Sequence, residues 1–128
     1  MLVRDTRGSV TLPDNRISMR LHALDAWVRL PAVLTDRSRL RAILFAGAAA
    51  GGATVVGEEF HVFPNGAVTG VLVLAQSHLS IHTWPEFALA NVDLLSYGHV
   101  RADDALRVIC EELDVEHATI TCVPRAIG

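Results

Sequence analysis

Apolar and polar positions along this chain follow two rhythms, and the switches between them mark its elements. Between Ile17 and Leu30, the residues Leu21, Trp27, Val28 and Leu30 predict a first strand, although the alternation is imperfect. The spacing then turns helical: Leu40, Ile43, Leu44 and the alanines after them form one apolar face. Thr35 or Asp36 can cap the start of that helix, and Gly51-Gly52 supplies a stop. Two β-rich runs follow, 53–63 and 67–75, joined by Pro64-Asn65-Gly66, which has the turn chemistry of a hairpin. The run 75–87 and then 89–96 add further extended structure. Asp103 or Asp104 near a helix start precedes Ala105, Leu106, Ile109 and Leu113 at helical spacing. A last strand over 116–123 sets Ala118, Ile120 and Cys122 on one face. The order β-α-β-β-β-α-β predicts an α+β fold: a two-layer sandwich, with an antiparallel sheet and helices packed on one face. Residues 1–15 are polar and turn-rich, close with Pro13-Asp14-Asn15 and read as an N-terminal arm; residues 16–128 read as a single domain without repeat or linker.

Composition narrows the function classes. The 128 residues suffice for a real core, yet a cofactor cleft in a domain this small is expected to use a second subunit. Half of the chain (51%) is hydrophobic, more than one small core requires, so part of that surface is expected to face a partner. A net charge of −3 with interspersed signs offers no basic stripe for nucleic acid. The most apolar stretch, 44–56, is too short and too glycine-rich to span a bilayer, and Arg4, Asp5 and Arg7 stand where a signal peptide needs an apolar segment. A cytoplasmic location is therefore expected, with no membrane contact. Cys110 and Cys122 lack metal-ligand spacing and read as buried free thiols.

The segment Gln76-Ser77-His78-Leu79-Ser80-Ile81-His82-Thr83-Trp84-Pro85-Glu86 carries the chemistry. It closely resembles the self-cleavage segment of the prokaryotic S-adenosylmethionine decarboxylases, usually Glu-Ser-His-(Ile/Leu)-Ser-Ile-His-Thr-Trp-Pro-Glu. In such a segment the serine hydroxyl attacks the carbonyl of the residue before it, here Gln76, and turns the amide into an ester. Loss of the α-proton and β-elimination then cut the chain, leaving a dehydroalanine that hydrolyses to a pyruvoyl group. A pyruvoyl carbonyl captures a substrate α-amine covalently and accepts the electrons released as carbon dioxide departs, which no ordinary side chain does. Without the surrounding match, Ser77-His78 would read as the end of a plain strand. His78 and His82 stand four apart, as zinc ligands on a helix would, but the residues around them favour extended structure, so no metal site is expected. His22, His61, His99 and His117 are scattered and read as surface or strand residues.

The resemblance runs from about Leu21 to the C terminus and implies roles at single positions. Thr69, in Val68-Thr69-Gly70, stands at a family serine whose hydroxyl assists the acyl shift; alone it would read as a strand threonine chosen for packing. His82 corresponds to the histidine that removes the α-proton during cleavage, a task suited to an imidazole. His78 belongs to the motif and orients the loop. Phe63 and Trp84 match aromatics associated with the adenine and sulfonium end of the ligand, and Glu86 an acid associated with the ribose hydroxyls; aromatic faces hold a flat base by stacking and a cation by its attraction to the π-cloud. The resemblance also implies a homodimer with its cleft near the subunit interface.

Two positions depart from the family pattern. Gln76 replaces the glutamate before the cleaved serine, keeping hydrogen bonding but losing a negative charge. Tyr97, in Val92-Asp93-Leu94-Leu95-Ser96-Tyr97-Gly98, replaces the cysteine that gives a proton to the substrate carbon after decarboxylation. A phenol can serve as a general acid, but its oxygen lies farther from the backbone than a thiol does. Three readings follow: a pyruvoyl-dependent decarboxylase of S-adenosylmethionine in polyamine-type metabolism, a pyruvoyl enzyme acting on a basic amino acid such as ornithine or arginine, or a non-cleaving homologue that acts as a binding partner. Phe63, Trp84 and Glu86 favour the first reading; Gln76 and Tyr97 motivate the others.

Overall fold

The structure, a computed structural model, describes residues 19–126 and the backbone of Leu2–Asp5. A sheet of seven strands runs in the order β1-β7-β2-β6-β5-β4-β3, with β1 (Leu2–Asp5), β2 (Met19–Val28), β3 (Val55–Val62), β4 (Val68–Leu74), β5 (His78–Trp84), β6 (Leu89–Tyr97) and β7 (Val115–Arg125). Pairing is antiparallel throughout except for β1, which lies parallel to β7 at the edge. Of the expected N-terminal arm, Leu2–Asp5 form this edge strand, and the remainder lies outside the described residues.

Two helices, α1 (Arg37–Ala50) and α2 (Ala102–Leu113), cover one face of the sheet and pack on each other. The Asp36 side chain accepts the Arg39 N–H at 3.0 Å and caps α1, and Gly51 closes it, as the sequence predicts. Gly47 is the close-approach point between the helices: a Cβ there would meet the Ile109 side chain at 2.6 Å. Beneath α1 and α2 the core gathers Leu24, Leu40, Ile43, Leu44, Leu72, Leu79, Ile81, Leu94, Leu106 and Ile109, all at most 2% exposed.

Among the described residues, the other face of the sheet carries no helix. On β4, β5 and β6 every second residue is buried under the helices, while the residues between them are half-buried or exposed. Thr69, Val71 and Val73 on β4, His78, Ser80 and His82 on β5, and Leu95 and Tyr97 on β6 share this bare face.

One element differs from expectation. The extended run after Ser77 is not one strand but two, β5 and β6, folded back on each other with Trp84 opposite Leu89. Pro85 starts a short 3-10 turn, Pro85–Phe87, and Ala88 leaves it at φ 51°, so a proline and a left-handed alanine reverse the chain where no glycine advertises a turn. The Pro64-Asn65-Gly66 turn forms as predicted: Asn65 Oδ1 accepts the Ala67 N–H at 3.0 Å, and Gly66 takes φ 90°.

Candidate active site

The motif residues fall into two groups at opposite ends of β5. At the first end, Ala75, Gln76 and Ser77 make the bend that joins β4 to β5, closed by a Leu74 N–H to Ser77 carbonyl bond of 2.9 Å. Gln76 is exposed and Ser77 half-buried. Tyr97, at the end of β6, lines the same small cavity of about 40 Å³ as Gln76, Ser77, Thr54 and His99. The peptide bond between Gln76 and Ser77 therefore sits in an open turn, free of the sheet's hydrogen-bond ladder, beside a phenol.

At the second end the cross-strand pair Thr69 and His82 meets on the bare face. Thr69 Oγ1 and His82 Nδ1 are 2.6 Å apart, a short hydroxyl–imidazole hydrogen bond. Two aromatic rings hold the imidazole edge-on: Phe63 at 5.8 Å and Trp84 at 4.5 Å between centroids. Phe63, Pro64, Asn65, Ala67, His82, Trp84 and Glu86 enclose an open cleft of about 440 Å³, mostly apolar with a carboxylate at its rim. Phe63 and Trp84 remain 37% and 38% exposed, so both present free ring surface.

Neighbours that the sequence did not single out fix this second group. Trp84 Nε1 donates to Asn91 Oδ1 at 2.6 Å, and Asn91 Nδ2 donates to Asp25 Oδ1 at 2.7 Å, a relay across three strands that sets the indole's orientation. His61 packs edge-on against Phe63 at 4.6 Å. Thr83 is fully buried; its Oγ1 accepts the Val68 N–H at 2.9 Å and donates to the Leu34 carbonyl at 2.8 Å, which locks β5 to β4 and to the 3-10 turn Pro31–Thr35. Asp25, Asn91 and Trp84 come from three neighbouring strands, one of them far from the other two in the chain, which is why the relay is invisible in the sequence.

The two groups do not meet within one chain. His82 lies five positions beyond Ser77 on extended backbone, which at the rise of a β-strand is about 17 Å. His78 shares the bare face with His82, and their separation along a strand is far from that of zinc ligands on one helical turn. Cys110 on α2 and Cys122 on β7 are free thiols, but half-buried rather than buried as expected.

The two-layer α+β sheet thus carries a serine in an open turn near Tyr97 and, about 17 Å away along β5, a hydroxyl–imidazole pair beside an aromatic cleft. The chain belongs to the S-adenosylmethionine decarboxylase family, whose profile matches residues 21–126. It is 38% identical over 97 residues to the S-adenosylmethionine decarboxylase proenzyme of Acetivibrio thermocellus, covering 75% of this chain and 78% of that one. It is 40% identical over 96 residues to the proenzyme of the same name from Caldanaerobacter subterraneus subsp. tengcongensis, covering 74% and 77%. The crystal structure of the adenosylmethionine decarboxylase from Aquifex aeolicus superposes with a TM-score of 0.75 at 29% identity, over 87% of this chain and 93% of that one.

Proposed function

We propose that this chain is a proenzyme that cuts itself between Gln76 and Ser77, turns Ser77 into a pyruvoyl group and decarboxylates S-adenosylmethionine. The observation that carries the reading is Ser77 itself, heading β5 in an open bend, in a chain whose family and relatives are S-adenosylmethionine decarboxylases. When formed, the pyruvoyl group supplies the electron sink for loss of carbon dioxide. The other residues bind and move protons. Phe63 and Trp84 offer ring faces to a flat base and a sulfonium, Glu86 offers a carboxylate to ribose hydroxyls, and the Thr69–His82 pair holds a proton at Nδ1 or Oγ1. Gln76 supplies the carbonyl that Ser77 attacks, and Tyr97, which lines the same cavity, donates the proton after carbon dioxide leaves.

A second copy of the chain completes the site. The separation of about 17 Å along β5 keeps Ser77 from its own His82; the bare sheet face carries Thr69, His82 and Tyr97, and Ser77 lies in the bend at the end of that face. Two sheets stacked face to face at about 10 Å, running in opposite directions, place Ser77 and Tyr97 of one copy against Thr69, His82, Trp84 and Phe63 of the other. The exposed Val73 (48%), Trp84 and Phe63 on or beside that face supply apolar area for such a contact.

Denaturing mass spectrometry of the purified protein tests the reading. The expected result is a fragment of residues 1–76 and a pyruvoyl-blocked fragment starting at position 77, with Ser77→Ala leaving the chain whole. Intact chain after prolonged incubation at neutral pH would favour the non-cleaving homologue instead. Carbon dioxide release from S-adenosylmethionine, but not from ornithine or arginine, is the expected substrate profile.

A further inference from the structure

On the helix-covered face, away from the Thr69–His82 cleft, the cross-strand partners His22 of β2 and Cys122 of β7 stand side by side. Cys122 Sγ and His22 Nε2 are 3.7 Å apart, within reach of a thiol–imidazole hydrogen bond. His22 is only 8% exposed, and its buried Nδ1 finds no hydrogen-bond partner among the described residues. Beyond the thiol the ring has, among the described residues, only a backbone contact at Leu94, too poor in geometry to satisfy Nδ1, and so much burial with so little pairing is costly as mere filling. His22 and Cys122 line one cleft of about 370 Å³ together with Arg20, Ser96, Val100 and Asp103.

We propose that Cys122 and His22 form a reactive thiol–imidazole pair, a covalent modification site for small electrophiles entering this cleft. The chemistry is simple. Burial pushes the His22 pKa down, which weakens the ring as a base, while Asp103 and the backbone contact at Leu94 pull it back up; the neutral ring's Nε2 lone pair faces the thiol and can take its proton. As the proton moves to Nε2, the sulfur attacks the electrophilic carbon, the S–C bond forms, and the bond to the leaving group breaks with its electron pair. The imidazolium produced lies near the Asp103 carboxylate at the start of α2, which favours it, while Arg20 on β2 opposes it. Among the described residues no imidazole lies within hydrogen-bond distance of the Cys110 thiol; burial and then Glu111 push its pKa up. Val100 lines both this cleft and the cavity that holds Ser77 and Tyr97, so an adduct on Cys122 borders the processing turn.

The two cysteines provide their own comparison. The native full chain is treated with iodoacetamide and the rate at each cysteine is read by peptide mass spectrometry. Cys122 is expected to react about tenfold faster than Cys110, and His22→Gln to slow Cys122 about tenfold while leaving Cys110 unchanged. Asp103→Asn, at an exposed position, is expected to slow Cys122 several-fold and to leave the fold intact. Equal rates at the two cysteines in the unmodified sequence, or an unchanged Cys122 rate in His22→Gln, would overturn the proposal. If His22→Gln unfolds the chain, both cysteines accelerate together, and the Asp103→Asn rate decides: no slowing overturns it.

Discussion

Tyr97 is the residue at which family pattern and side-chain chemistry part, and its position makes the conflict testable. It shares a small cavity with Gln76 and Ser77, and Gly98 beside it takes φ 67°, a left-handed backbone that suits glycine. Gln76 and Tyr97, the two positions that depart from the family pattern, line one cavity. If Tyr97 donates the proton after carbon dioxide leaves, Tyr97→Phe keeps the self-cleavage and slows decarboxylation about 10²–10⁴-fold. It also raises inactivation during turnover, because a proton delivered to the wrong atom leaves the cofactor aminated. Steady-state rates and the mass of the processed fragment after turnover read both effects; full activity of Tyr97→Phe without such damage makes the ring a pocket wall and favours another substrate. The family was readable in the sequence because eleven consecutive positions, 76–86, follow one motif closely. The partners that hold them were not: Asn91 and Asp25 reach Trp84 only after three strands are laid side by side.

At the scale of elements, the hairpins were legible wherever turn chemistry is local and obscured wherever it is not. Asp36, Gly51 and Asn65-Gly66 act within three or four residues of themselves, so the cap, the stop and the β3–β4 turn follow from sequence. The reversal between β5 and β6 depends on Ala88 adopting a left-handed backbone, held by its N–H bond to the Pro85 carbonyl at 3.1 Å and by its carbonyl accepting the Val28 N–H at 2.9 Å. That is a tertiary decision, and alanine gives no warning of it. Gly70 shows the converse: a glycine inside β4 looks like a weakness, yet it is opposite Phe60 on β3, whose ring fills the space a Cβ would need. Gly70→Ala is expected to cost about 1–3 kcal/mol from the displaced ring and to shift Thr69, its neighbour, against His82. Chemical denaturation measures the first effect; slower appearance of the fragment of residues 1–76 measures the second.

The whole molecule raises a question that the linear motif hides. Ser77 and His82 are near neighbours in the chain, yet a β-strand spends each residue on about 3.3 Å of length and sends them to opposite ends. A reading confined to the motif treats them as one site; the sheet makes them two halves. Among the described residues the helices cover one sheet face only; the other carries Thr69, His82 and Tyr97, with the Ser77 bend at its end, and in the proposed dimer a two-fold pair of sheets closes over it. The prediction follows from the symmetry. Ser77→Ala lacks the nucleophile and His82→Ala lacks the base, so each protein alone remains uncut. In a mixed dimer, one of the two composite sites joins the intact Ser77 of the His82→Ala chain to the intact His82 of the Ser77→Ala chain. Co-expressing the two, with one carrying a mass tag, is therefore expected to cut the His82→Ala chain and never the Ser77→Ala chain. With random pairing, about half of the His82→Ala chains find such a partner, which sets the ceiling on the cut fraction seen by mass spectrometry. Mixed dimers that are present by native mass measurement but stay uncut would show that each chain processes itself without its partner's His82, and the face-to-face arrangement would have to be given up.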